Sequence, residues 1–240
     1  RKAVALGAEL IITYGSSATL AAKAEVPPVP VLFVDIYDPV KLGLVDADTG
    51  VGRNMTGVQG DAPVQALLKY FLEATSAGSL VVLYDTNSPD GQLQKAILEQ
   101  SGRRRGVTVT SLGVEGSSDH LPKLAETPAD VDGLFLANSD HIGSQVEEIL
   151  DFASERGVPV ITQRPGVADL GALMTLESSA EEQGLKLAEI AAKLLSGASI
   201  MDIPFRKPHQ VSLVVNLKTA KTLGLKVPFS TLSVASRVVR

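Results

Sequence analysis

The chain has 240 residues, of which 45% are hydrophobic and 20% are charged, and its formal net charge is −5. This length and composition fit one large globular domain or two small ones. Acidic and basic residues are interspersed, so the sequence shows no basic patch for nucleic acid. No apolar run approaches the ~20 residues that cross a bilayer. The absence of cysteine excludes disulfides and thiolate chemistry.

The first sixty residues predict short alternating elements and one long loop. We expect helices over 1–7 and 17–24, strands over 10–13 and 31–34, and an extended piece over 55–59. The glycine- and aspartate-rich loop over 40–54 is long for a tight α/β pattern, which favours a functional reason for it. Because the chain opens inside a predicted helix, without an initiator methionine or a signal peptide, we expect that an upstream segment has been removed or is not included in this sequence.

From residue 63 the pattern becomes regular and then breaks. It predicts helices over 63–75, 92–104, 119–125 and 142–156, and strands over 80–84, 107–112, 133–136 and 158–162. Such alternation is typical of βαβ units in a parallel sheet with helices on both faces. After the break we expect an extended piece over 173–176, a helix over 180–196, a strand over 211–216 and a helix over 217–223; the tail from Val227 stays unassigned.

Three predicted strands end in short polar turns before helices, at 14–17, 85–89 and 137–140. Ser16 or Ser17 is predicted to cap the first of these helices, and Ser88 the second. A turn that enters a helix leaves backbone N–H groups aimed outward, where they attract a carboxylate or phosphate, although an ordinary strand–helix joint explains any single turn. Because the ends of parallel strands share one edge, the three turns predict one crevice lined from several strands.

The last predicted strand and helix carry a distinctive motif. Residues 213–228 read LVVNLKTAKTLGLKVP, which resembles the closing motif of the tryptophan/tyrosine-type substrate-binding proteins of ABC transporters. Other motifs of that family find similar segments in the same order, at 10–22, 38–45, 54–58, 82–89, 171–173 and 202–204. The resemblance therefore covers nearly the whole chain.

The resemblance implies a type I periplasmic binding protein fold. That is an α/β architecture of two doubly wound parallel-sheet lobes, with three crossovers and a ligand cleft between the lobes. The crossovers are expected at 55–59, 173–176 and 203–210, with an N-terminal lobe of residues 1–58 plus 174–200 and a C-terminal lobe of residues 59–173 plus 201–240. Since the family begins with a βαβ unit ahead of Arg1, the first lobe is expected to be incomplete and the strand at residue 10 to be an exposed apolar edge.

The resemblance also implies which residues would touch a ligand. The turn at Gly15 would hold a carboxylate through its N–H and hydroxyl groups. Asp38 either pairs with a ligand amine or forms an Asp-Pro turn, and the register at 138–140 leaves open whether Ser139 or Asp140 stands for the family's aspartate. The candidate ligand-binding residues are Gly15, Ser16, Ser17, Tyr37, Asp38, Gln59, Tyr84, Asn87, Ser88, Asn138, Ser139, Asp140 and Arg164. Roles that involve no ligand are also open: a plain linker for Gln59, and a helix cap for Asn87 and Ser88.

Two departures from the family argue against an aromatic ligand. The family tends to carry an acidic residue after the strand at 158–162, where this chain has Arg164. It also has aromatic residues after the piece at 173–176, where this chain has Glu177, Ser178 and Ser179. Arg164 either clamps an acidic ligand in a bidentate manner or is a solvated loop arginine.

The resemblance thus predicts an extracytoplasmic solute-binding protein, periplasmic or extracellular, with or without a lipid anchor. It would close by hinge bending on a small polar ligand, an amino acid or related carboxylate, and deliver it to an ABC permease. The alternatives are the ligand-sensing domain of a receptor or regulator and, from another class, an enzyme that uses His141 and Asp140. No hydrolase, metalloprotease or nucleotide-binding motif occurs in the sequence, and neither a metal nor a cofactor is predicted.

Overall fold

The computed structural model describes residues 2–60, 62–116 and 120–240. The chain divides into two compact units. Unit 1 comprises Arg1–Asp61 and Ser178–Gln210, and unit 2 comprises Ala62–Glu177 and Val211–Arg240, so the chain passes between them three times.

Strands and helices alternate through most of the chain. The strands are β1 (Ile11–Tyr14), β2 (Val31–Ile36), β3 (Met55–Gln59), β4 (Ser79–Asp85), β5 (Thr108–Val114), β6 (Leu134–Leu136), β7 (Val160–Thr162), β8 (Met174–Ser178), β9 (Val211–Asn216) and β10 (Arg237–Val239). The helices are α1 (Lys2–Ala5), α2 (Gly15–Ala24), α3 (Val64–Thr75), α4 (Pro89–Arg105), α5 (His120–Ala125), α6 (Asp140–Ser144), α7 (Val146–Glu155), α8 (Val167–Leu170), α9 (Ala180–Leu195), α10 (Leu217–Thr222) and α11 (Phe229–Ser233), with a 3-10 turn at Ile200–Asp202.

Unit 1 is built on a three-stranded parallel sheet in the order β1-β2-β3. Its central strand β2 is apolar on both faces, as expected for a strand that is covered on both sides. Phe33 packs in a cluster to which the loop after β2 contributes Leu44 and Val45. Leu32, on the other face, packs with Ile190 of α9. The long loop therefore closes part of the core of unit 1.

The strands of this small sheet approach each other closely at Gly57. A Cβ at this position would lie 1.9 Å from the carbonyl oxygen of Phe33, so only glycine allows β2 and β3 to pair here. At the opposite side β1 is an edge strand. Ile12 is 56% exposed and Tyr14 is 71% exposed, in agreement with the exposed apolar edge expected for this strand.

Unit 2 contains a seven-stranded sheet in the order β10-β9-β8-β7-β6-β4-β5. The pairings of β4 with β5 and β6, of β6 with β7, of β7 with β8 and of β9 with β10 are all parallel. Leu80, Val81, Val82 and Leu83 of β4 have no exposed surface, because the strand is buried on both faces. The α/β class and the parallel sheets predicted from the sequence are thereby confirmed.

The boundaries differ from the predictions where tertiary pairing outweighs local pattern. Met174 pairs with Ile161 of β7, so β8 lies in unit 2, whereas the sequence assigned residues 174–177 to the N-terminal lobe. Residues 201–210 likewise belong to unit 1 and not to the C-terminal lobe. The three polar turns predicted to line one crevice belong to two sheets, since β1 is in the smaller one and β4 and β6 are in the larger one.

Some helices also differ from the sequence pattern. The helix predicted over 142–156 is two helices, because Gln145 leaves the helical region with φ −116° and ψ 11°. Helix α8 was not predicted, and α11 and β10 occupy the unassigned tail. The predicted starts of two helices at Arg1 and Asp119 lie outside the described residues.

Candidate functional site

The carboxyl ends of β1, β2 and β3 lie at one edge of the unit 1 sheet because the three strands are parallel. We call this the unit 1 edge. The predicted site residues that follow or end these strands are Gly15, Ser16, Ser17, Tyr37, Asp38 and Gln59. The structure therefore brings the six candidates of unit 1 to a common edge.

The start of α2 differs from the prediction and bears on what this edge can bind. The helix begins at Gly15, whose φ of +76° is in the left-handed region. Its N-cap is Tyr14, with no side-chain capping bond, so the prediction that Ser16 or Ser17 caps the helix is wrong. Ser16 is buried and Ser17 is exposed. Backbone N–H groups at the start of a helix suit an anionic group.

The other candidates of unit 1 have internal bonds that account for them. The Asp38 carboxylate accepts a 3.0 Å hydrogen bond from Lys41 N, and its second oxygen lies 3.4 Å from Lys41 Nζ. This is the bonding of an Asp-Pro turn. Gln59 is buried and donates through Nε2 to the carbonyl oxygen of Tyr37 at 2.8 Å. These residues shape the unit 1 edge, and Asp38 keeps a partly exposed carboxylate.

Three neighbouring strands of unit 2, β4, β6 and β7, end at a second edge, which we call the unit 2 edge. Ser88 Oγ accepts from Gly91 N at 3.1 Å as the predicted N-cap of α4, and it donates to Asn138 O at 2.8 Å. Ser139 Oγ accepts from Ile142 N at 3.1 Å and so caps α6. The two serines fix the turns after β4 and β6, and Ser88 joins them.

Exposed polar groups remain at this edge. Asn87 and Asp140 are exposed and Asn138 is half-buried. Tyr84, by contrast, directs its ring toward β5, where its hydroxyl oxygen would lie 3.1 Å from a Cβ at position 113 and Lys95 Nζ lies 5.0 Å from the ring centroid. Packing accounts for Tyr84, and its side chain is not brought to the other candidates.

His141 has a partner that the sequence did not reveal. Its Nδ1 lies 2.9 Å from Asp85 Oδ2 at the end of β4, and the other Asp85 oxygen accepts from Asn87 N at 2.8 Å. The expected pairing of His141 with Asp140 is therefore wrong, because adjacent residues on a helix point in different directions. A polar residue that ends a buried apolar strand was the available signal for Asp85.

A chain of buried amides supports the unit 2 edge from beneath. Gln94 of α4 accepts from Asn138 N at 2.6 Å and donates to Gln163 Oε1 at 2.8 Å. Gln163 donates in turn to the carbonyl oxygen of Ala62. Sequence reasoning missed this network, because single glutamines on a helix and after a strand carry no periodic signal.

Arg164 follows β7 and lies against α6. Its Nη1 donates to Ser139 O at 3.3 Å. A Cβ at Gly143 would fall 2.1 Å from the Arg164 Cζ, so the guanidinium occupies the space of that missing side chain. Arg164 is half-buried and is therefore not a freely solvated loop arginine.

A cavity in unit 2 lies away from the predicted site residues. This cavity of about 260 Å³, lined from α7, α8 and α10, contains none of them. Within the part of the chain that the structure describes, no three His, Asp or Glu side chains cluster as a metal site, and no helix is long and apolar enough to cross a membrane.

Comparison with known proteins gives a consistent result. The family model described as "ABC transporter substrate binding protein" matches residues 1–239. A tyrosine-binding protein of Clostridioides difficile is 24% identical over 219 residues, which is 91% of this chain and 64% of that protein. The chain thus spans less than two thirds of the length of this curated relative.

Two solved structures are similar over nearly the whole chain. An ABC domain from Streptococcus pneumonia in complex with L-Trp is 22% identical, with a TM-score of 0.92 over 99% of this chain and 81% of that chain. A ligand-free, open substrate-binding protein with adhesive properties from Clostridium difficile is 26% identical, with a TM-score of 0.72 over 99% of this chain and 80% of that one. The fold is that of these proteins.

Proposed function

Because this chain belongs to the family of ABC transporter substrate-binding proteins, we propose that it binds one small polar solute outside the cytoplasm and delivers it to an ABC permease. The solute class is an amino acid or related carboxylate. The protein containing this chain would act in the periplasm or at the cell surface.

We further propose that polar groups at the unit 1 edge and at the unit 2 edge take part in solute binding. The observation that carries the proposal is the pair of polar edges, one at the carboxyl ends of the parallel strands in each unit, where open α/β sheets bind ligands. At the unit 1 edge, the first turn of α2 suits a carboxylate. At the unit 2 edge, Asn87, Asn138 and Arg164 offer donors. The relatives described above bind tyrosine and L-Trp, and both of these ligands carry a carboxylate.

A thermal-shift screen of amino acids, small carboxylates and nucleosides tests the proposal, with calorimetry on each positive. A ligand at ~100 times its Kd should stabilise the chain by ~2.7 kcal/mol. Ser17→Val at the unit 1 edge and Asn138→Ala at the unit 2 edge should each weaken binding, since they remove polar groups from the edges. Ser230→Val, an exposed serine on α11, is the matched control. If only one edge variant affects Kd, the role of the other edge is refuted.

The enzyme alternative is tested by the fate of the ligand. His141 lies 2.9 Å from the Asp85 carboxylate, and a histidine beside a carboxylate can serve as a general base, so the experiment must test for turnover. We expect the ligand to be recovered chemically unchanged after prolonged incubation with the protein. A new product in stoichiometric excess over protein would replace the binding function by catalysis.

A further inference from the structure

Arg164 is a cation without a counter-ion in the described part of the chain. The ion pairs found there do not include it. Among residues 2–60, 62–116 and 120–240, its guanidinium makes one hydrogen bond, the 3.3 Å contact from Nη1 to the carbonyl oxygen of Ser139. Since a guanidinium carries five N–H donors, most of them remain available.

The position of this cation is fixed by a glycine. A Cβ at Gly143 would lie 2.1 Å from Cζ and 2.3 Å from each Nη of Arg164. The guanidinium therefore rests on the bare backbone of α6, in the space that a side chain at Gly143 would fill. A group that is held in place in advance loses less entropy on binding, which favours affinity.

Two acidic residues at the ends of strands in unit 2, Asp85 and Glu177, interact with other groups. Asp85 lies 2.9 Å from His141 Nδ1 and accepts from Asn87 N. Glu177 accepts from Thr175 Oγ1 at 2.5 Å and from Gly166 N at 3.2 Å. An internal partner thus does not neutralise Arg164, although a half-buried charge is costly to leave unpaired.

We propose that the solute is acidic and that Arg164 binds its negatively charged group at the unit 2 edge through two parallel N–H···O bonds. This inference rests on the proposed function and names its ligand class. A planar guanidinium matches the geometry of a carboxylate, and such charge-assisted pairs are stronger than neutral hydrogen bonds.

Paired titrations of the full chain test the inference. L-Glutamate, L-aspartate and succinate are compared with L-glutamine, L-asparagine and succinamide by calorimetry. We expect at least one acid to bind one per chain with a Kd at least tenfold below that of its amide, equivalent to ~1.4 kcal/mol. Arg164→Gln should abolish this preference. Arg164→Lys, which keeps the charge without the planar fork, should weaken acid binding severalfold.

Two glycine-to-alanine variants distinguish an effect on the position of the Arg164 guanidinium from an effect on folding. Gly143→Ala should displace the flexible end of Arg164 and weaken acid binding severalfold, while the helix keeps or gains stability, since alanine is a better helix former than glycine. Gly184→Ala in α9, where an added Cβ meets open space, should leave Kd unchanged. If Arg164→Gln fails to fold, Arg164→Lys and Gly143→Ala carry the test.

Failure of this inference differs from failure of the proposed function. A neutral ligand such as L-tyrosine or L-tryptophan, bound with the same Kd by wild type and Arg164→Gln, overturns the acidic class and leaves solute binding intact. Acid binding that is unchanged in Arg164→Lys and Gly143→Ala overturns the role of Arg164 and leaves solute binding intact. If no member of the panel and no metabolite from an extract binds, both the inference and the proposed function are refuted.

Discussion

His141 and Asp85 lie within ion-pair distance of each other at the unit 2 edge, with 2.9 Å between Nδ1 and Oδ2. The carboxylate is 7% exposed and the imidazole is 48% exposed. A buried acceptor therefore orients a half-exposed ring, and the pair ties α6 to the end of β4. On the other side of α6, Arg164 rests on Gly143, so the short helix is held from both sides.

Asp85→Asn should release His141. We expect a loss of about 1.5–3 kcal/mol in the free energy of unfolding, the usual value of a hydrogen bond to a charged group, together with weaker ligand binding. Urea denaturation and the NMR chemical shifts of the His141 ring nitrogens measure the two effects. The control is Asp140→Asn, since Asp140 is exposed. Equal stability of both variants would contradict the structural role of the pair.

Gln94→Met removes the centre of the buried amide network. The substitution leaves Asn138 N and Gln163 Oε1 without their partner, and each unsatisfied buried group costs about 1–3 kcal/mol. Chemical denaturation should show this loss. Gln100→Met, the same change at an exposed position of α4, should be nearly neutral. A neutral Gln94→Met would show that water or a rearranged neighbour satisfies these groups.

Ser88→Ala should affect both stability and the shape of the unit 2 edge. It removes the N-cap of α4, worth ~1 kcal/mol, and the bond to Asn138 O. We expect faster hydrogen exchange at Gly91 and a lower melting temperature. Ser88→Thr, which retains a hydroxyl, should restore most of both. If Ser88→Thr is as destabilised as Ser88→Ala, the hydroxyl is not the cause.

Acid should break the hydrogen bonds that hold the segment before β9 against Glu182 of α9. Hydrogen bonds from the Lys186 ammonium and from the backbone N–H groups of Gln210 and His209 lower the pKa of Glu182 from 4.5 to about 2. Because the pKa is lower in the folded state, the carboxylate stabilises the fold above pH ~4.5, and this contribution is lost as the pH falls toward ~2. Hydrogen exchange at the amides of His209 and Gln210 should therefore accelerate within this window.

The matched variants isolate this effect. Glu182→Gln should show fast exchange at both amides already at neutral pH and a weaker dependence of melting temperature on pH below 4.5. Glu181→Gln, an exposed neighbour in the same turn, should behave like wild type. Parallel pH curves for all three proteins would rule out Glu182 as the titrating group.

Much of the fold follows from sequence pattern, and the exceptions have physical causes. Strands β3 and β9 have the predicted bounds because glycine, proline or polar residues bracket their apolar runs. The sequence did not place β8 in unit 2, since strand pairing is a long-range property that a local window does not contain. The break at Gln145 and the helix α8 were missed because a one-residue kink and a one-turn helix carry little periodic signal.

Some features of the candidate site were predicted from local sequence, and others were not. Local patterns predicted the N-cap role of Ser88 and the strand-end turns of both edges. They did not predict that Asp85 binds His141, that Gln94 supports Asn138, or that Gly143 makes room for Arg164. Each of these contacts joins residues more than twenty positions apart or depends on a side chain that is missing. Whether the assembled residues bind a solute remains a proposal that the experiments above decide.

Native mass spectrometry of the full chain, incubated with a metabolite extract and then desalted, tests the central claim most directly. The account predicts a complex of one protein chain with one small molecule, which is released with its original mass on denaturation and carries a carboxylate. Absence of any bound molecule, or recovery of a chemically altered one, would contradict it.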